Sequence, residues 1–200
     1  MSTGAPAADR AARAADRGAS AEVDALIGMT ILLGAWVMLF AALFFAYGVV
    51  RVQASEWPPF GAPRLPRGLP ALNTLLLVAS SLTLRRGLAR ARRGDPRALL
   101  RALGGTMVLG AGFLAAQIAL WQSLIARHLL PSSGVYGSVF FAFTGFHALH
   151  VLGGLIVLAV LATRAARGRG DAQAPVRLAA LYWDFVAVIW VLMYLSIFCL

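Results

Sequence analysis

Two histidines are the residues of this chain whose type and spacing first suggest chemistry. His147 and His150 are three positions apart in an uncharged stretch, so on a helix they share one face. Imidazole nitrogens are common ligands of haem iron and other metals. However, two histidines one turn apart cannot ligate opposite faces of a haem, and the third histidine, His128, ends a different stretch. The spacing therefore favours hydrogen bonds to other helices, or contact with lipid or a partner protein.

Asp184 is the one acid inside the uncharged stretch that begins at residue 178. A carboxylate among apolar residues is costly unless it is paired or protonated. We therefore expect Asp184 to pair with an arginine or histidine of this chain or of a neighbouring one. A proton relay is the alternative, but it needs several such groups and this stretch holds one.

Amide and hydroxyl side chains lie in two other uncharged stretches. Asn73 and Gln117 are the largest of them, and Thr74, Ser80 and Ser81 accompany Asn73. Such side chains form hydrogen bonds between membrane helices. We expect them to hold helices together.

The composition indicates a chain that lies mostly in lipid. Its 200 residues are 60% hydrophobic and 13% charged, whereas soluble domains are about 45–50% apolar and about 25% charged. All 18 basic residues are arginines, and they give a formal net charge of +10. They lie between the apolar stretches, so they indicate membrane topology rather than a nucleic-acid-binding face. One cysteine, Cys199, and three histidines exclude a disulfide framework, a CxxC motif or a zinc cluster within the chain.

The uncharged stretches predict an all-α protein, a polytopic membrane bundle of five transmembrane helices. The second span is the shortest and extends past Arg85 if its arginines snorkel. The tail at residues 1–24 is polar and rich in Ala and Arg, and we expect it to be disordered or a loose surface helix rather than a signal peptide. The membrane domain covers residues 25–200, with spans at about 25–50, 69–87, 102–126, 135–163 and 177–199.

The arginines predict the orientation of the bundle. With five spans, 14 of the 18 arginines lie on the side of the N-terminus and four on the other side. The positive-inside rule then places the N-terminus in the cytoplasm and the C-terminus outside. Trp57, Trp121 and Tyr136 fall at span ends on the outer side, where amphipathic rings settle.

One motif in the fourth span resembles a known family. The stretch GVYGSVFFAFTGFHALHVLGG, residues 134–154, resembles the signature of subunit III of haem-copper terminal oxidases, in the short five-helix bacterial form. Further family features follow in the same order along the chain. They are the Trp57-Pro58-Pro59 loop, Asn73 with Ser80-Ser81, Gln117, and the segment YWDFVAVIW at residues 182–190.

The resemblance implies a non-catalytic subunit of a cytochrome c oxidase in the bacterial inner membrane. Such a subunit binds the catalytic subunit I beside subunit II, holds phospholipids in a cleft and supports assembly and sustained proton-coupled turnover. It carries no cofactor or metal, and the haems and copper belong to its partners. The residues and the resemblance together give eight structural, lipid or subunit-interface candidates: His147, His150, Asn73, Gln117, Asp184, Tyr136, Trp57 and Trp183.

This sequence departs from the family pattern at four positions. Trp36 and Leu120 stand where many members have membrane glutamates, and Asp184 and Ala187 stand where the last helix has His and Asp. Any role that those carboxylates have in the family, such as a proton antenna, is therefore not implied for this chain.

Three other interpretations remain open on the sequence. The complex could be a quinol oxidase or a nitric oxide reductase with an accessory subunit of this family. A small membrane transporter would need a polar path, an internal repeat or broken helices, and the sequence offers a single membrane acid. A membrane cytochrome b would use His147 and His150 as haem ligands.

Overall fold

The structure is a computed structural model that describes residues 5–57, 63, 65–168 and 173–199. These residues form five α-helices and no strand: α1 (Ala5–Gln53), α2 (Gly68–Ala91), α3 (Pro96–Ile125), α4 (Gly134–Ala166) and α5 (Gln173–Tyr194). A π-helical turn, Leu195–Cys199, continues α5. Pro58 and Pro59, between α1 and α2, lie outside the described residues. The predicted all-helical class is confirmed for the described part of the chain.

Four of the described helices are long and apolar enough to cross a membrane. Their candidate spans are Val23–Gln53, Arg97–Ile125, Gly134–Ala166 and Gln173–Cys199. They coincide with the first, third, fourth and fifth predicted spans. Helix α2 has 24 residues, enough for the roughly 20 that a bilayer core requires, but its polar side chains keep it outside this set.

Helix α1 continues through the predicted boundary at residue 24 without a break. It has 49 residues, which at 1.5 Å per residue makes it about 74 Å long and far longer than a bilayer core. The tail is therefore helical from Ala5 onward and continuous with the first span.

Helices α2 to α5 form a closed ring, and α1 lies outside it. Helix α2 packs on α3 and α5, and α4 packs on the same two helices. Helix α1 packs against α4 and α5. Only 6% of the 18-residue apolar segment of α1 is buried, compared with 44% of the corresponding segment in the last candidate span. The core of the protein is therefore the four-helix ring, and α1 is a peripheral helix.

The turn between α2 and α3 shows how local sequence sets the bundle direction. Gly94 adopts a φ of 95°, which glycine reaches without steric cost. Asp95 then caps α3, because its side chain accepts a hydrogen bond from the Ala98 amide at 3.1 Å, and Pro96 occupies the first helical position. The chain thus reverses within a few residues and brings α3 back along α2.

The Trp183 indole of α5 contacts three other helices of the ring. Its Nε1 donates a hydrogen bond to Ser80 Oγ on α2 at 2.9 Å. A Cβ atom on Gly110 of α3 would lie 3.0 Å from the ring, and one on Gly154 of α4 would lie 2.8 Å from it. The absence of a side chain at both glycines therefore leaves room for the indole, which is fully buried. In contrast, a Cβ on the neighbouring Gly153 would meet nothing within 4 Å.

We expect Gly154→Leu to destabilise the bundle by about 1–3 kcal/mol, because its side chain overlaps the Trp183 ring. Gly153→Leu is the matched control and is expected to change the free energy of unfolding by about 0.5 kcal/mol or less. Tryptophan fluorescence during unfolding in detergent micelles measures both. Equal stability of the two variants would contradict the packing described for Trp183.

Candidate functional site

His147 lies in an aromatic cage inside the bundle. Its ring centroid is 6.3 Å from that of Phe40 on α1, 5.7 Å from Phe113 on α3 and 5.2 Å from Trp190 on α5. The side chain is fully buried, and neither ring nitrogen has a hydrogen-bond partner among the described residues. Of the expected alternatives, a hydrogen bond to another helix is therefore not formed by His147 within the described residues, because the facing helices present aromatic rings.

His150 lies one turn further along α4 and faces α1. Its Nδ1 is 2.6 Å from the Phe146 carbonyl oxygen of its own helix. Its ring meets the Trp36 indole edge-on at a centroid distance of 4.0 Å. Nε2 has no hydrogen-bond partner among the described residues, so this side chain forms no interhelical hydrogen bond there either. The interhelical bond at this position uses the backbone instead, since Tyr182 Oη donates to the His150 carbonyl at 3.1 Å.

The two histidines therefore have different surroundings. His147 faces the rings of α3 and α5 as well as Phe40, and His150 faces Trp36 and Phe40. Among the described residues, no group of three His, Cys, Asp or Glu side chains is close enough to hold a metal ion. Sequence reasoning missed Phe40, which contacts both histidines, because aromatic residues in an apolar span carry no distinguishing pattern.

Asn73 and Gln117 join α2 to α3 in the core. Asn73 Nδ2 donates to Gln117 Oε1 at 3.0 Å, and both side chains are fully buried. Interhelical hydrogen bonding was expected of each residue, and the structure shows that they bond one another. Further along the same two helices, Thr106 Oγ1 donates to the Ser80 carbonyl at 3.2 Å. The polar groups of α2 therefore hold the α2–α3 contact together at two levels.

Asp184 forms the expected ion pair, and its partner is Arg85 of α2. Arg85 Nη2 and Nε lie 2.6 Å and 2.8 Å from Asp184 Oδ2. The hydroxyl of Ser81, one turn earlier on α2, donates to Oδ1. The carboxylate side chain is 16% exposed and the arginine side chain 61%. The pair therefore joins α2 to α5 at the rim of the bundle, with the arginine reaching outward.

Two further tryptophans bond hydroxyl groups across helices. Trp190 Nε1 donates to Thr74 Oγ1 at 3.0 Å, and Trp121 Nε1 donates to Thr144 Oγ1 at 3.0 Å. Sequence reasoning missed these pairings. The residue types were a usable signal, since most buried indole N–H groups find an acceptor, but the pairing depends on which helices are neighbours.

Trp57 and Tyr136 meet at the opposite end of the bundle from the Asp184 pair. Their ring centroids are 5.0 Å apart, and Tyr47 of α1 lies 5.6 Å from Trp57. The Arg51 guanidinium lies 5.9 Å from the centre of the Trp57 ring. Tyr47 Oη also donates to the Ser196 carbonyl at 3.2 Å in the final π-helical turn. Trp57 therefore packs against both α1 and α4.

An apolar pocket opens between α1, α4 and α5. Its volume is about 400 Å³, and its lining includes Trp36, Gly153, Gly154, Leu178 and Tyr182. The lining comes from the first half of the α1 span, the second half of α4 and the first turns of α5. The pocket therefore lies in the half of the bundle near the arginine-rich ends, beside the Trp36–His150 contact.

Comparison with known proteins decides the family. Residues 15–200 match the family model of cytochrome c oxidase subunit III. This chain belongs to that family. It is 37% identical to a probable cytochrome c oxidase subunit 3 of Mycobacterium leprae and 38% identical to that of Nocardia farcinica, over 86% of each chain. It is 33% identical to cytochrome c oxidase subunit 3 of Synechocystis, over 88% of this chain and 75% of that one.

Membership of the subunit III family confirms the resemblance read from the helix α4 motif. A subunit of cytochrome c oxidase works in a complex with other oxidase subunits, and four apolar helices make this family member a multi-pass membrane protein. Neither a transporter nor a membrane cytochrome b is favoured by these comparisons.

We expect Arg85→Leu to destabilise the bundle by about 1–3 kcal/mol, because Asp184 loses its cation in a low-dielectric environment. The double variant Arg85→Leu/Asp184→Asn is expected to regain part of that loss, since it removes the unpaired carboxylate. Unfolding in detergent micelles measures all members of the cycle.

Arg86→Leu is the control, because Arg86 is exposed and forms no ion pair among the described residues. Its effect is expected to be about 0.5 kcal/mol or less. Strictly additive effects of the Arg85 and Asp184 substitutions would contradict the coupling of the two residues.

Proposed function

We propose that this protein is the non-catalytic subunit III of a bacterial haem-copper terminal oxidase that takes part in aerobic respiration. The observation that carries the proposal is the family match over residues 15–200. The subunit binds the catalytic subunit I beside subunit II and supports assembly and sustained proton-coupled turnover. The electron donor of the complex is cytochrome c, as the names of the relatives state for those proteins. A quinol oxidase or a nitric oxide reductase is the alternative complex.

The proposed cofactors, haem and copper, belong to the partner subunits. The surroundings of the histidines support this assignment. His147 is enclosed by three aromatic side chains, and the His150 ring packs against the Trp36 indole at a centroid distance of 4.0 Å. A haem between helices requires a ligand from a facing helix, and the facing residues of α1, α3 and α5 at this level are Phe40, Phe113 and Trp190.

The proposed topology has five spans in the bacterial inner membrane. They are the four long apolar helices and, in addition, α2. The bonding of α2 supports it, because Asn73, Ser80 and Ser81 all make hydrogen bonds or accept them within the ring. These three polar side chains thus face the ring and not the lipid. The N-terminus lies in the cytoplasm and the C-terminus outside, as the distribution of arginines requires.

The apolar pocket between α1, α4 and α5 supports the proposal that this subunit holds phospholipid. Its lining is apolar except for Tyr182 and Trp36, and a volume of about 400 Å³ suits part of an acyl chain. Gly153 borders the pocket, and a side chain added there would point into open space.

We expect Gly153→Leu to reduce the phospholipid that copurifies with the protein, because leucine fills part of the pocket while leaving the helix contacts intact. Gly145→Leu is the matched control, since Gly145 is on the same helix, faces open space and does not line the pocket. Mass spectrometry of extracted lipids provides the measurement. Equal lipid content in the two variants would overturn the assignment of this pocket to phospholipid.

The central test is purification of the tagged full chain from its native membranes in mild detergent. We expect a haem-bearing subunit to copurify and to show the absorbance of reduced haem in stoichiometric amount. Recovery of the chain without any haem protein would overturn the proposed function.

The same purification is repeated with the variants His147→Leu and His150→Leu. Because both histidines are assigned structural roles, the haem absorbance per catalytic subunit is expected to stay unchanged in every complex that assembles. Loss of haem from an assembled complex would show ligation by these residues and would favour the membrane cytochrome b.

A further inference from the structure

We propose that a cleft between α2 and α3 binds the phosphate-bearing headgroup of an anionic phospholipid. The cleft has a volume of about 300 Å³ and lies beside the turn that joins the two helices. Three arginines line it: Arg86 and Arg90 from α2, and Arg101 from α3. The hydroxyl-bearing Thr83 lines its membrane side, and its lining contains no acid.

The cleft exists because α2 and α3 approach closely below it. Gly87 lies against Ala102, where a Cβ on the glycine would overlap the Ala102 side chain. Residues on either side of this contact are therefore held at fixed spacing. Arg86 and Arg90, one turn apart on α2, both line the gap beside this contact.

The charge in the cleft is only partly compensated by this chain. Arg101 Nη2 pairs with Asp95 Oδ2 at 2.9 Å. Neither Arg86 nor Arg90 forms an ion pair or side-chain hydrogen bond with another described residue. Two guanidinium groups at one gap repel each other, and a phosphate between them removes that repulsion. Guanidinium groups match phosphate oxygens in geometry as well as charge.

The surface next to the cleft favours a lipid over a free phosphate ion. Gly105, Val108 and Gly112 continue the face of α3 that carries Arg101, at helical spacings of four, seven and eleven residues. Val108 is 72% exposed, and Gly105 lies against Thr83 of α2. An apolar strip thus leads from the arginines into the membrane, where an acyl chain can lie. Basic pockets between membrane helices on the cytoplasmic side are suited to anionic headgroups.

This site is separate from the apolar pocket, which is built by α1, α4 and α5. The inference rests on the proposed membrane placement of α2 and not on the identity of the oxidase. The test of this inference uses the isolated full chain. A negative result would therefore not bear on whether a haem protein copurifies with the chain.

The experiment is native mass spectrometry of the full chain in detergent micelles, titrated with phosphatidylglycerol and separately with phosphatidylcholine. We expect tighter binding of phosphatidylglycerol and a loss of about 30-fold in its affinity in Arg86→Gln/Arg90→Gln, because each arginine contributes a factor of about five. The matched control is Arg92→Gln/Arg93→Gln, which removes the same charge from exposed positions outside the cleft. A loss below about threefold is expected there.

Three results would overturn the proposal. Equal losses in the two double variants would show a diffuse surface charge. Equal affinity for the two lipids would show binding to the apolar strip alone. Full displacement of phosphatidylglycerol by excess inorganic phosphate would show a site for the free ion. An unfolding temperature like that of the unsubstituted protein, measured for both double variants, ensures that the affinities compare folded molecules.

Discussion

The four-helix ring depends on one buried indole. Trp183 of α5 enters the space left by Gly110 of α3 and Gly154 of α4, and it donates a hydrogen bond to Ser80 of α2. Between membrane helices there is little hydrophobic driving force, because lipid is as apolar as the protein interior. Close packing and interhelical hydrogen bonds must therefore hold the ring together, and Trp183 supplies both. The glycines matter here for the absence of a side chain, since a Cβ at either one would crowd the ring.

The polar character of α2 follows from the same constraint. Asn73 bonds Gln117, Thr74 accepts from Trp190, and Ser81 donates to Asp184. Each of these side chains thus bonds a neighbouring helix, although Asn73 Oδ1 and Gln117 Nε2 have no hydrogen-bond partner among the described residues. A hydropathy average treats them as though they faced the membrane and therefore leaves α2 out of the candidate spans. The least apolar helix of the bundle is also the one with the most polar bonds to its neighbours in the ring.

The histidines and the peripheral helix form a second, more aromatic layer. Trp36 and Phe40 of α1 contact His150, and Phe40 also contacts His147. Trp36 occupies the position where many members of the subunit III family have a glutamate. His150 therefore meets an indole edge in this chain where a carboxylate is the familiar residue. The contact places α1 against α4 beside the apolar pocket, so the departure from the family pattern shapes the wall of the proposed lipid site.

The sequence by itself determined the membrane class, the limits of four spans and the family, because each depends on residues close together in the chain. It also determined that Asp184 needs a cation, since an unpaired carboxylate is costly in lipid. Only the tertiary structure decided that this cation is Arg85, that His147 faces aromatic rings, and that Arg86 and Arg90 share a cleft. Helical periodicity predicts which residues share a face of one helix. Which helix that face meets depends on packing between segments about a hundred residues apart, where glycines and large side chains must fit together.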